Sequence, residues 1–194
     1  MKDNTKTLVH LDKSFNDIVY SEEDTKNREF EKCSFANCDF SNGIFSSTRF
    51  IDCVFKSCNL TMVKLRQCQL NDVTFKDCKL VGVNFADCND FLFAVTFDGC
   101  MLDYCSFVKK KMPKTLFRNS SMKHVDFTES NLTKATFSNT DLTNAIFSRT
   151  ILKEVDFLTA SNYSIDPELN VVKKAKFSRY GVGGLLEKYD IEIE

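Results

Sequence analysis

The stretch FEKCSFANCDFSNGIFSSTRFIDCVFKSCNL, residues 30–60, decides the fold. A large apolar side chain stands at every fifth position, from Phe30, Phe35 and Phe40 through Phe45, Phe50 and Phe55 to Leu60. Neither an α-helix, with its period of 3.6, nor a flat strand, with its period of two, repeats in that way. Counted outward, the period runs on through Leu65, Leu70, Phe75, Leu80 and Phe85, slips by two residues, and resumes at Leu92 and Phe97 as far as Phe157. About two thirds of the chain is one repeated unit. The place two residues before each large one nearly always holds a small or β-branched residue, and Asp or Asn often follows it, as in CDFSN (38–42) and TDLTN (140–144).

In an extended segment, residues two apart point to the same side, so the small and the large residue of each unit both face inward. Successive segments then wrap into a solenoid whose coils pair at the ordinary strand spacing of about 4.8 Å. From Leu92 to Phe157, Leu or Met alternates with Phe at every large position. Three sides would mix the two sizes in every column, whereas four sides sort them into two opposite Phe columns and two opposite Leu or Met columns, which packs well. The expectation is an all-β, right-handed quadrilateral β-helix of roughly 20 residues per coil. The 26 large positions make about six and a half coils, roughly 30 Å tall.

The alternation survives the slip, so no side is lost there and two residues bulge outward within 86–91, where Asn89 and Asp90 suit a turn. The bulge is open to two readings, a recognition feature or a tolerated surface insertion. A second irregularity is VKKKMPKTL (108–116), which puts Lys110 in a small inward slot. An unpaired ammonium is costly there, so the expectation is local distortion that exposes Lys109, Lys110, Lys111 and Lys114 as a basic patch. That patch is either a contact for an acidic partner or a solvated corner.

At 194 residues, with 43% hydrophobic residues, the chain suits one domain. Lys plus Arg number 26 and Asp plus Glu 27, a formal net charge of -1 that offers no long-range field for nucleic acid or an anionic membrane. The start MKDNTKTLVHLDK lacks an apolar run of signal-peptide length, so a cytoplasmic location without membrane association is expected. All nine cysteines occupy the small-residue slot that elsewhere holds Val63, Val73, Ala135 or Thr140, so they read as buried free thiols in preference to disulfides or metal ligands. Only His10 and His124 supply imidazole, and no C-x-x-C occurs.

Residues 1–24 read as an N-terminal cap and incomplete first coil, residues 25–159 as the β-helix, and residues 160–194 as a C-terminal cap and dimerisation tail. Asp166 before Pro167 resembles the start of a single helical turn. Ser178 caps an expected longer helix bearing Val182, Leu185, Leu186 and Tyr189, and DIEIE, with Ile191, alternates like a short strand. These five apolar residues are the candidate dimer interface.

The motif of small residue, Asp or Asn, Leu or Phe, Ser or Thr, then a variable residue resembles the pentapeptide repeat family over residues 28–159. The tail is similar to tails of the Qnr, MfpA and microcin immunity protein members. The resemblance implies the quadrilateral β-helix, a homodimer through the tail, and a rod that binds DNA gyrase or topoisomerase IV as a DNA mimic, protecting it from quinolones or a toxin. Mimicry asks for an anionic surface, yet residues 115–160 hold five basic and five acidic residues, and long projecting loops are absent. The alternative is a structural or regulatory interaction scaffold. A filled coil leaves no interior pocket, and neither G-x-S-x-G, H-E-x-x-H nor a Gly-rich phosphate loop occurs, so neither an enzyme nor a cofactor is expected.

Overall fold

A computed structural model describes residues 7–20 and 24–192, and over these the chain winds as an all-β parallel solenoid. Each residue lies beside the one 20 further on, as in Leu8 with Arg28 and Phe35 with Phe55, and beside the one 22 further on across the slip, as in Val73 with Val95. One face carries nine short parallel strands, the first Ser14–Asn16 and the last Lys176–Phe177. Nine levels make about eight turns, and at about 4.8 Å per level the stack is roughly 38 Å tall.

That is taller than the sequence period implies, for two reasons. His10 stacks on Phe30 at 4.7 Å and Phe15 on Phe35 at 5.0 Å, so the described N-terminal residues already occupy a level of the stack. At the other end Phe177 stacks on Phe157 at 5.3 Å, although the written period stops at Phe157.

The Phe columns stack face to face vertically and meet edge to face across the core: Phe107 and Phe127 lie 5.4 Å apart with rings at 10°, while Phe107 and Phe117 lie 6.1 Å apart at 77°. Both geometries suit the ring quadrupole. The small slot has its own chemistry. The thiols of Cys53 and Cys68 and the hydroxyl of Thr150 donate to the carbonyls of Phe30, Phe45 and Phe127 in the preceding coil, at 3.3, 3.1 and 2.9 Å. Such a residue fills little space and satisfies a buried acceptor. The Asp or Asn after it closes the turn, as Asp39 and Asp126 accept the N–H groups of Ser41 and Thr128 at 2.9 and 2.8 Å.

All nine cysteines are free and buried. Burial pushes the Cys53 thiol up to about 11 and the Cys68 thiol up to about 12.

The expected helix after Ser178 is instead two short 3₁₀ turns, Val182–Leu185 and Glu187–Tyr189. Gly181, Gly183 and Gly184 disfavour a continuous α-helix, and Gly181 and Gly184 let the backbone close onto Tyr163. Asp166 does start a single turn, accepting the Glu168 N–H at 2.8 Å. Ile191 and Glu192 form no strand; residues 193–194 of DIEIE, like residues 21–23 of the charged stretch SEEDTKNRE, lie outside the described residues.

Candidate functional site

The irregular face of the solenoid carries strands Leu8–Leu11, Arg28–Glu31, Arg49–Ile51 and Gln69–Asn71, then continues past Asn89 through bridges joining Lys111, Asn131, Ile151 and Val171. The slip interrupts it midway. The structure corrects the expected placement: Leu92 is not the inward residue, and the extra residues follow it. Leu92 sits at the outward corner with φ 55°, as Asp72 does one coil earlier with φ 53°, and is 55% exposed. Phe93 turns back into the core and is buried, while Phe91 is 66% exposed. The two extra residues are Phe93 and Ala94, since Asn89 still donates to Cys68 as expected for its level and pairing resumes at Val95.

This arrangement explains Lys110, the second point at which the structure departs from expectation. Lys110 is not exposed; it is 2% exposed and stays in the small slot. Its ammonium reaches back one coil, donating to the Cys88 carbonyl and to Asp90 Oδ1 at 2.7 Å, and it lies 5.1 Å from the centre of the Phe93 ring. With Asp90 at the usual large apolar place and Phe93 folded in behind it, the coil supplies both an anion and an aromatic face for the cation. Bulge and buried lysine are therefore one feature. Lys109, Lys111 and Lys114 are exposed as expected, and Lys109 lies 3.8 Å from Glu129. A groove of about 540 Å³ runs beside the bulge between Asp72, Leu92 and Lys114.

The tail forms the other candidate region. Leu185 packs on the core, Leu186 is partly buried, and Val182, Tyr189 and Ile191 are exposed. Lys188 bonds Asp166 and Glu168, each at 2.7 Å, and the Tyr189 hydroxyl donates to Glu168 at 3.1 Å. The hydrogen bonds from Lys188 hold both carboxyls below their ordinary range and raise the lysine. With the Ile165 N–H donating to Gly184 at 2.8 Å, these contacts fasten the tail over the last coil.

Among the described residues no group of His, Cys, Asp and Glu is arranged to hold a metal ion, and no helix is long and apolar enough to cross a membrane. His124 lies at an outward corner, stacked on Tyr104 at 4.8 Å. His10 is held below its ordinary pKa by burial, then by Lys13 and Arg28. Sequence reasoning missed Phe91, Leu92 and Phe93, because the unbroken Leu and Phe alternation pointed to Leu92 as the inward residue.

A family model described as pentapeptide repeat region matches residues 28–94, and a second, described as pentapeptide repeats (8 copies), matches residues 120–157. The fold is similar to a trypsin-treated form of QnrB1, described as a plasmid-mediated fluoroquinolone resistance protein, with TM-score 0.67 and 16% identity over 93% of this chain and 100% of that one. A second trypsin-treated form gives 0.55 at 20% identity, covering 97% and 98%, and full-length QnrB1 gives 0.54 at 16%, covering 94% and 100%. No curated protein matches the sequence.

Proposed function

The chain belongs to the pentapeptide repeat family, and on that premise we propose that it is a non-enzymatic protein-interaction scaffold, a cytoplasmic rod whose outer faces bind a protein partner. The observation that carries this reading is the filled interior: Phe97, Phe107, Phe117, Phe127, Phe137 and Phe157 are all fully buried, so recognition falls to the surface. The nine unpaired thiols suit a reducing compartment.

The more specific reading is binding of DNA gyrase or topoisomerase IV with protection from quinolones, favoured by the likeness of fold to QnrB1. Duplex mimicry would ask for one face that is acidic along its length. The nine-stranded face instead mixes Asp77, Asp98 and Asp156 with Lys56, Lys76 and Arg118, and the bulged face changes sign midway. An exposed apolar bulge beside lysines fits the broader scaffold reading better. Supercoiling by purified gyrase with a fluoroquinolone, titrated with the full chain, tests the specific partner. Restored or inhibited supercoiling at micromolar or lower concentration supports it, and no effect on gyrase or topoisomerase IV removes it.

A further inference from the structure

Read along the bulged face, one corner of the solenoid carries a column of nine residues one coil apart: Asp12, Lys32, Asp52, Asp72, Leu92, Lys114, Lys134, Glu154 and Lys174. All nine have φ between 52° and 63°, which marks them as the same corner at successive levels. Leu92 is the fifth, the midpoint. About it the charges are antisymmetric. Asp12 mirrors Lys174, Lys32 mirrors Glu154, Asp52 mirrors Lys134 and Asp72 mirrors Lys114. Even the two exceptions to an acidic half and a basic half, Lys32 and Glu154, fall at mirrored levels.

From this column we infer that the bulged face binds a second copy of this chain, antiparallel, about a twofold axis that crosses the rod at Leu92. A twofold axis lying in the interface perpendicular to the rod sets each column of the face against itself with levels reversed. Every charge in the corner column then meets its opposite on the other copy. The neighbouring columns follow the same mapping: Glu31 meets Lys153, Val9 meets Val171 and the exposed Phe91 meets Phe91. The like charges it brings to the same level are Asp87 and Asp90 at the axis, and Asp90 is already paired with Lys110 of its own chain at 2.7 Å. A parallel pairing is disfavoured, because it sets equal levels against each other and so brings together the lysine-rich levels that hold Lys111 with Lys114 and Lys173 with Lys174.

Two further observations support a second copy as the occupant. Within one chain, Asp12, Lys32, Asp52, Asp72, Lys114 and Lys174 form no ion pair among the described residues, although all are exposed. At the axis, where a self-symmetric contact cannot use a single charge without repulsion, the column carries Leu92, flanked by Phe91. The corner column of the nine-stranded face, with Asn37, Ser57, Asn119 and Asn139, has no such pattern.

The inference goes beyond the scaffold reading: it gives one face to self-association and leaves the others for the partner. It also names a surface distinct from the tail residues Val182, Tyr189 and Ile191. Its test is the mass of the full chain by light scattering, which reads nothing of topoisomerase binding. We expect a dimer at low salt that dissociates as salt rises. D52K/D72K and K114D/K134D should each be monomeric at the same concentration, with self-affinity lowered about tenfold or more by opposed like charges. Mixed in equal amounts, the two variants should form a heterodimer, because each then meets its opposite. The substitutions are on exposed side chains, and circular dichroism checks that the fold is retained. A monomer at low salt overturns the inference, as does a dimer that survives both charge reversals or is lost only in V182E/I191E.

Discussion

Asp90→Ala is expected to destabilise the protein by leaving the Lys110 ammonium buried with the Cys88 carbonyl as its remaining hydrogen-bond acceptor in the structure. Breaking a fully buried ion pair costs about 3–5 kcal/mol, whereas a net hydrogen bond to a charged group is worth about 1.5–3 kcal/mol. The Lys110 side chain is 2% exposed but that of Asp90 is 65% exposed, so solvent screens one partner and the smaller range governs. We expect a loss of about 2 kcal/mol, or roughly 4–8 °C in Tm for a chain of this length. Lys110→Met removes the cation and keeps the volume, and replacing a buried charge by a hydrophobe is close to neutral or stabilising. Asp90 then has nothing to neutralise, so adding Asp90→Ala to Lys110→Met should cost close to zero. The assay is urea unfolding followed by circular dichroism on the four members of the double-mutant cycle. If Asp90→Ala cost the same in the Lys110→Met background as in the parent, the coupling of bulge and lysine would be refuted.

Phe127→Ala should cost about 3–5 kcal/mol in the same unfolding assay by opening a cavity, since Phe127 is fully buried and stacked between Phe107 at 5.4 Å and Phe147 at 5.2 Å; an unchanged midpoint would contradict the column packing. The nine thiols should resist a thiol reagent at pH 8 in the native state and all react in denaturant, because every one of them is buried; rapid native labelling would show an open core. Gly184→Ala should detach the tail, since a Cβ there would meet the Tyr163 backbone, and limited proteolysis should cut after residue 165 faster than in the parent. Burial acts to raise Asp141, but hydrogen bonds from Thr143 and Asn162 and contact with Lys123 outweigh it and hold the carboxyl down to about 2. A carboxyl lowered in the folded state contributes stability above its unfolded value of about 3.9 and loses it as pH falls towards the folded value. Asp141→Asn should therefore flatten the stability change between about pH 4 and pH 2, as read from urea midpoints.

The column structure was legible because it is written in period. Phe107, Phe117 and Phe127 are spaced so that nothing but a regular coil brings them together, and Cys53 or Cys68 in a small slot reads as a buried free thiol. The first and last coils were less legible. His10 occupies a column place without being a large apolar residue, and Val172 and Phe177 follow a segment, 158–170, whose turn replaces the five-residue spacing. The pattern stops there although the hydrogen-bonded stacking goes on. In the tail, apolar residues alone did not reveal direction: Leu185 turns onto the core while Val182 and Ile191 face solvent, and the choice is made by the close approach of Gly184 to Tyr163.

By itself the sequence determined the period, the sorting of sizes into columns, the burial of the thiols and, once the coil length is known, which charges share a corner. Those are one-dimensional facts, since position modulo one coil assigns a residue to a column. Only the tertiary structure decided where the two extra residues go and what Lys110 does. An insertion preserves the alternation wherever it is absorbed, so spacing is indifferent between Leu92 and Phe93. The core is not: a buried ammonium requires a carboxylate and an aromatic face within a few ångströms, and the fold that provides Asp90 and Phe93 turns Leu92 outward.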